Sequence, residues 1–292
     1  VALVFFLHFA TVHSANAQAP PKPTASGFVQ AGNARLYYET FGTRGEPIIL
    51  IHGVTLDRRM WDLQVRALVQ AGFRVVRYDA QNYGKSLTTP PLPDSSQTED
   101  LRALMDALKI TKATLVGLSM GGNIASRFAI EFPDRVQRLV LVSADMNGFT
   151  GYTPELYAVF TETFKAAAVS VDSAKKVWSS GALLTLRANQ KQAQPIVQQI
   201  IAEYSGDFFF PQKGLSVQPQ TITSTRLAEI KAPTLIVVGA QDMKDFHLMA
   251  DLYEKGIAGS RRVTLANAGH LCNMEQPTAF NAEVVKFLKS KR

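Results

Sequence analysis

Apolar residues follow two alternating rhythms along this chain. Continuous apolar runs occupy Pro47 to Ile51, Arg74 to Tyr78, Ala113 to Val116, Val136 to Val142, Thr234 to Gly239 and Arg262 to Leu265. Runs this short, bounded by turn residues, predict strands buried on both faces. Helical spacing fills the intervals, at Asp57 to Gln70, Thr98 to Leu108, Ser119 to about Phe132, His247 to Lys255 and Thr278 to Leu288. Near the start, alternating patterns at Phe28 to Ala31 and Ala34 to Glu39 flank Gly32-Asn33, which predicts a β-hairpin. Strands alternating with helices predict an α/β fold: a mostly parallel, eight-stranded sheet with helices on both faces.

The rhythm breaks after Asp145. From 146 to 229 the pattern is helical, and no buried strand follows until Thr234. This stretch reads as a helical cap inserted into a core built from 27–145 and 230–292.

Composition changes this picture little. The chain has 292 residues with ordinary apolar and charged fractions, enough for one large core with an insertion. Its formal charge of +7 is spread over scattered Lys and Arg residues, without the basic stripe that a nucleic-acid partner needs. No His, Cys or carboxylate cluster has metal-ligand spacing, so neither metal nor cofactor is expected. A single cysteine, Cys272, allows no internal disulfide.

The first residues carry a separate signal. Val1 to Leu7 is apolar but much shorter than the roughly 20 residues of a membrane-spanning helix, and Ala15-Asn16-Ala17 follows. Residues 1–17 look like a secretory signal peptide, cleaved after Ala17, which places the mature protein outside the cytoplasm, secreted or periplasmic. Residues 18–26, with Pro20, Pro21 and Pro23, read as an extended linker.

Chemistry enters at Gly117-Leu118-Ser119-Met120-Gly121, a G-x-S-x-G pattern between a predicted strand and a predicted helix. A serine on so sharp a turn is exposed and strained, small residues must flank it, and the helix N-terminus aims N–H groups at any anion formed there. Alone, the pattern would read rather as a glycine-rich turn whose serine caps a helix, since so short a pattern arises often by chance. Two later loops decide between these readings. Asp242 follows the strand ending at Gly239, and His270 follows the strand ending at Leu265. In open α/β sheets the carboxyl ends of the strands share one edge, so Ser119, Asp242 and His270 converge there. A serine hydroxyl needs an imidazole to take its proton, and the imidazole needs a carboxylate to fix its tautomer.

From about Gly27 to Leu288 the chain resembles an α/β-hydrolase. His52-Gly53 after the third strand, Asp79 with Gly84 and Ser86 after the fourth, the elbow at Gly117 to Gly121, Asp242 and His270 occur in that family's order. The resemblance implies Ser119 as nucleophile, Asp242 as acid and His270 as base. It also implies an oxyanion hole formed by the backbone N–H groups of Val54 and Met120. The chain departs from the pattern at Gln81-Asn82, where many relatives carry Arg-Gly.

Other residues compete for these roles. Asp242 could pair with Lys244, and Asp145 is a rival acid after the strand ending at Val142. His52 reads as a structural histidine at a tight turn, His247 as a helix-surface residue, and Cys272 as a small packing residue. The cap is rich in aromatics, most of them cap core, and Trp178, Phe208, Phe209 and Phe210, together with Trp61, are the candidates for lining the substrate pocket.

The elbow and the tail from His270 to Pro277 resemble oxoadipate enol-lactonases and related esterases. The expected function is hydrolysis of a small to medium carboxylic ester or lactone through an acyl-enzyme. Carbon–carbon bond hydrolases, perhydrolases and amidases of the same fold are alternatives, as is a binding or receptor protein that retains the pocket without turnover. A carbon–carbon hydrolase would want a basic residue in its pocket, and Arg187 is the first arginine of the cap. Dehalogenases and epoxide hydrolases are disfavoured, because the relatives with those activities carry aspartate at the elbow.

Overall fold

A computed structural model describes residues 20–88, 97–210 and 221–290. The expected signal peptide, and residues 18 and 19 of the expected linker, lie outside the described residues. The linker's end needs correcting: Ala25 and Ser26 already belong to strand β1 (Ala25–Ala31), and the Thr24 N–H donates to the Thr40 carbonyl at 2.8 Å. Sheet pairing, with no polar alternation to announce it, draws these residues in.

β1 pairs antiparallel with β2 (Ala34–Phe41), closing the expected hairpin at Gly32-Asn33. Then follow β3 (Pro47–Ile51), α1 (Asp62–Gln70), β4 (Arg74–Tyr78), the two-residue β5 (Leu87–Thr88) and α2 (Gln97–Ala107). The centre of the chain supplies β6 (Ala113–Leu118), α3 (Met120–Glu131) and β7 (Val136–Val142). After an inserted helical segment come β8 (Thr234–Gly239), α7 (Lys244–Gly256), β9 (Arg261–Leu265), α8 (Cys272–Glu275) and α9 (Pro277–Lys289). The sheet order is β1-β2-β4-β3-β6-β7-β8-β9, with β5 beside β2. The six strands from β4 to β9 in that order are parallel, and β2 runs antiparallel to its neighbours. Every residue of β6 and β8 is buried, whereas edge strands β1 and β9 are half exposed. That difference explains why the central strands lack alternation: helices cover both of their faces.

The insertion carries α4 (Pro154–Ala167), α5 (Val171–Ser180) and α6 (Gln190–Glu203). Thr153 caps α4 by accepting the Leu156 N–H, and Ser170 caps α5 by accepting the Ser173 N–H. An aromatic cluster ties the segment together: Phe208 lies 6.2 Å from Phe160, 6.0 Å from Phe164 and 5.7 Å from Trp178 between ring centroids. The segment is anchored to the core where its backbone meets buried carboxylates. Asp245 accepts the Thr153 N–H at 2.6 Å, and Glu275 accepts the Arg187 N–H at 2.7 Å.

One buried ion network supports the loops at the strand ends. Glu39 accepts from Arg58 and Arg77, and Arg58 also reaches Asp79 at 2.9 Å. Burial alone would raise the Glu39 carboxyl, but the Arg77 and Arg58 guanidiniums outweigh it and hold the group below the ordinary carboxylate range. Asp79 in turn accepts the N–H groups of Arg58 and Lys85, and its carbonyl accepts the Ser86 hydroxyl at 2.6 Å. These bonds hold the loop that carries Gln81-Asn82. Asn82 has φ 67°, in the left-handed region that glycine favours and asparagine tolerates better than other residues.

Candidate active site

Strand order reverses at β3: the chain steps outward to β4 on one side and returns to β6 on the other. β3 and β6 pair with Ile51 opposite Gly117, so His52-Gly53-Val54 and Ser119-Met120 leave the sheet side by side. This is the crevice at which open α/β sheets bind ligands.

Ser119 occupies the turn from β6 into α3 with φ 53° and ψ −116°. For a residue with a Cβ this conformation costs on the order of 1–3 kcal/mol. Three backbone bonds hold it there: the Ser119 N–H donates to Val142 O at 3.0 Å, and its carbonyl accepts from Asn123 at 3.0 Å and Asp145 at 3.1 Å. The flanking glycines are required by contact. A Cβ on Gly117 would lie 2.1 Å from the Gly121 carbonyl oxygen, and one on Gly121 would lie 2.2 Å from that of Ile51. These clashes are with backbone, which has no alternative rotamer. Gly121→Ala is therefore expected to destabilise the fold by about 3 kcal/mol and to lower Tm by roughly 6–10 °C in a thermal melt. An unchanged Tm would mean that the elbow can open.

The candidate acid and base come from the loops after β8 and β9, which are strapped together. Ala240 donates to Leu265 O and Gln241 to Ala268 O, both at 2.8 Å, and a Cβ on Gly239 would lie 2.1 Å from Gly269 O. His270 Nδ1 lies 3.2 Å from both carboxylate oxygens of Asp242, and both side chains are buried. Asp242 also accepts the Met243 N–H at 2.8 Å, so its carboxylate is engaged with its own turn and with His270. Phe246 packs on the imidazole with ring centroids 4.1 Å apart. With Nδ1 directed to Asp242, Nε2 is the nitrogen left for proton transfer. The structure bonds Asp242 to His270 directly and places Ser119 on the same edge of the sheet.

The rivals have other duties. Asp145 accepts from Asn123 Nδ2 at 3.0 Å and from the Tyr152 hydroxyl at 3.4 Å. His52 is fully buried between two backbone groups: Nε2 accepts the Ala80 N–H at 2.9 Å, so Nδ1 carries the proton and donates to Gly53 O at 2.8 Å. Burial pushes its pKa down and keeps it neutral. His247 Nδ1 meets Arg262 on the flank of α7, at 3.1 Å. Cys272 is buried, and desolvation pushes its thiol far up, out of the range of a nucleophilic thiolate.

The two oxyanion candidates flank the turn that carries Ser119. Met120 opens α3, so its N–H belongs to the first turn, where no carbonyl lies four residues back. Gly53 crosses beside the elbow so closely that an added Cβ would lie 3.7 Å from Ser119 Cβ. The carbonyl of the Gly53–Val54 peptide accepts from His52 Nδ1 and from the Leu56 N–H at 3.3 Å. Because a trans peptide directs its C=O and N–H oppositely, these bonds also fix the direction of the Val54 N–H.

The aromatic candidates need correction. Trp61 is fully buried and packs 6.3 Å from Phe280 of α9, a core position. Phe209 is buried against Trp178 and Tyr204, and Phe208 and Phe210 are partly buried against the core. Phe208 and Phe209 do face different ways, with their ring planes 65° apart, but within one cluster inside the inserted segment. Trp178 belongs to that cluster too, and its indole reaches out of it to Thr55. A cavity of about 220 Å³ beside Thr55 is lined by Asp57, Arg59, Lys85, Glu203 and Tyr204 among others, and by no member of the Ser119, Asp242 and His270 set.

One residue, Glu275, has no sequence signal. Glu275, buried in α8, accepts the Gly269 N–H at 2.9 Å with one oxygen and the Arg187 N–H with the other, tying the loop that carries His270 to the inserted segment. Arg187, the basic residue that a carbon–carbon hydrolase pocket would want, lies beside the same loop. Its Nε would lie 3.3 Å from a Cβ on Gly269, the residue before His270.

Comparison with known proteins agrees with this geometry. Residues 46–277 match the model of a family described as the alpha/beta hydrolase fold. A 2-hydroxy-6-oxononadienedioate/2-hydroxy-6-oxononatrienedioate hydrolase from Paraburkholderia xenovorans is 28% identical, over 94% of this chain and 99% of that one. Its Escherichia coli namesake is 30% identical, over 87% and 91%. Among solved structures, an enol-lactonase from Burkholderia xenovorans superposes with a TM-score of 0.74 at 26% identity, covering 90% of this chain and 100% of that one. A strained serine turn at the switch point, a buried His–Asp pair on the same edge and a family match over residues 46–277 converge on one conclusion: this protein belongs to the alpha/beta hydrolase family.

Proposed function

We propose that the protein is a serine hydrolase that cleaves a small to medium carboxylic ester or lactone by way of an acyl-enzyme. The observation that carries this reading is the buried pairing of His270 Nδ1 with the Asp242 carboxylate, on the sheet edge where the elbow presents Ser119. In the proposed reaction Ser119 Oγ attacks the carbonyl carbon while His270 Nε2 takes its proton. The charge that develops on the carbonyl oxygen meets the N–H groups of Val54 and Met120. His270 then returns the proton to the leaving alkoxide, and water repeats the sequence on the acyl-enzyme. Asp242 keeps Nδ1 protonated and stabilises the imidazolium formed at each step.

A second reading has a specific observation behind it. The Arg187 guanidinium lies beside the loop that carries His270, and the similar hydrolases from Paraburkholderia and Escherichia are named for dienedioate and trienedioate substrates, which carry carboxylates. An arginine there suits a carboxylate on the substrate.

One experiment tests both. The purified protein is incubated with a fluorophosphonate, and with a neutral aryl ester, a lactone and a vinylogous diketo acid in parallel. Stoichiometric labelling with turnover of the ester or lactone is expected. Arg187→Gln should leave neutral-ester kinetics within about twofold, because no charge on that substrate needs it. Turnover confined to the diketo acid, with KM raised in Arg187→Gln, would favour the second reading. No label and no turnover of any substrate would sink the hydrolase reading.

A further inference from the structure

Thr55 stands at a conflict between local preference and tertiary contact. It is β-branched yet adopts φ 60°, a left-handed conformation that such residues rarely enter. Its side chain is fully buried and engaged on both sides. The Trp178 indole Nε1–H, from α5, donates to Thr55 Oγ1 at 2.6 Å, and Thr55 Oγ1 in turn donates to the Val54 carbonyl at 2.7 Å. The direction of this relay is fixed by chemistry. An indole N–H can only donate, so the hydroxyl oxygen receives that bond and its own proton goes to Val54.

The relay ends at the residue whose N–H is assigned to the oxyanion hole. Val54 is then held from both sides: its carbonyl by Thr55, and the preceding peptide carbonyl by His52 and Leu56. The first of these holds originates 123 residues away in the inserted segment. Trp178 is itself fixed by ring contacts with Phe160, Phe208 and Phe209, at 5.7, 5.7 and 6.3 Å between centroids. The aromatic cluster therefore has a destination outside itself.

Resting on the serine hydrolase reading above, we propose that Trp178 is a positioning residue for the oxyanion hole, acting through Thr55 to hold the Val54–Thr55 peptide, so that Val54 is clamped on both flanks and the adjoining Gly53–Val54 peptide, which carries the donating N–H, cannot swing about the Val54 backbone bonds. The inserted helical segment then contributes to transition-state stabilisation. The effect belongs to the charge on the developing oxyanion, so it falls on kcat and spares substrate binding.

The test is a double-mutant cycle on the intact chain. Trp178→Phe keeps a ring in the cluster and deletes only the donor, and Thr55→Val keeps the shape and deletes the hydroxyl. Outright loss of one oxyanion donor lowers kcat by about 10²–10³-fold, and a donor that is present but misaimed should lose less. Each single variant is expected to lower kcat on the aryl ester about tenfold with KM within twofold, and to weaken an alkyl boronic acid, which forms a tetrahedral serine adduct, by a similar factor. The double variant should lose no more than either single one, because both break the same relay. Thr55→Ser, which keeps the hydroxyl, should restore near-normal kcat and confirm that packing is not the cause. If Trp178→Phe leaves kcat and boronate affinity within twofold of a wild type that does take the fluorophosphonate, the relay proposal alone is overturned. A wild type that takes no label overturns the hydrolase reading, and the relay with it.

Discussion

Ser119→Ala is expected to lower kcat by about 10⁶-fold, comparable to loss of the nucleophile in other serine hydrolases, and to abolish fluorophosphonate labelling. The side chain is small and only 6% exposed, and the exchange removes a single oxygen. The bonds that fix the turn, to Val142, Asn123 and Asp145, all use Ser119 backbone atoms and survive the change. The strain also survives, since φ 53° opposes alanine as it opposes serine. Circular dichroism and Tm should therefore match the wild type while turnover disappears. Residual activity of about 10³-fold over water is compatible with the reading, because oxyanion donors and binding act without the nucleophile. Activity within tenfold of wild type would show that Ser119 is a helix cap and that some other group attacks. Label retained in the variant would point to that group directly.

This separation of chemistry from stability follows from how the site was legible. The central strands could be read because burial on both faces leaves continuous apolar runs, and the elbow because Gly117 and Gly121 have backbone within 2.2 Å of any added Cβ. Asp242 and His270 could be placed because each follows directly on a strand whose carboxyl end is fixed by the sheet. Residues of the inserted segment offered no such frame. A tryptophan or phenylalanine looks the same in sequence whether it lines a pocket or fills a core, and Trp61 and Phe209 turned out to fill cores. What decides is which side of each helix meets the sheet, and helical spacing alone does not encode that. The same limit hid Glu275 and Thr55. Both act through bonds to residues distant in sequence, and neither carries a local pattern. Asn82 was the reverse case, an apparent departure whose physical reason, a left-handed φ, became visible only in the folded loop.

Asp242→Asn is expected to lower kcat about 10⁴-fold on the ester substrate, the loss typical when a triad carboxylate becomes an amide, whereas Asp145→Asn should stay within about fivefold. The asymmetry comes from what each carboxylate touches. Both Asp242 oxygens face His270 Nδ1 at 3.2 Å with no solvent on the carboxylate. Asparagine can still accept through its carbonyl from Nδ1–H, but its amide is a donor, and when it turns to the ring it favours the tautomer with the proton on Nε2. That tautomer has nothing with which to take the Ser119 proton. Even in the correct tautomer, the imidazolium formed during attack lacks its buried counter-charge, and little water is present to replace it. Asp145 accepts from the Asn123 amide on one oxygen and from the Tyr152 hydroxyl on the other; an asparagine carbonyl keeps the first bond, and the Tyr152 hydroxyl can turn to accept from the new amide. Its link to the elbow is the backbone N–H bond to Ser119 O, which no side-chain exchange removes. Steady-state kinetics on the two variants, each checked for an unchanged melting profile, decide between the acids. Near-normal turnover in Asp242→Asn, or a larger loss in Asp145→Asn, would transfer the acid role to Asp145 and require His270 to leave the carboxylate it contacts in this structure.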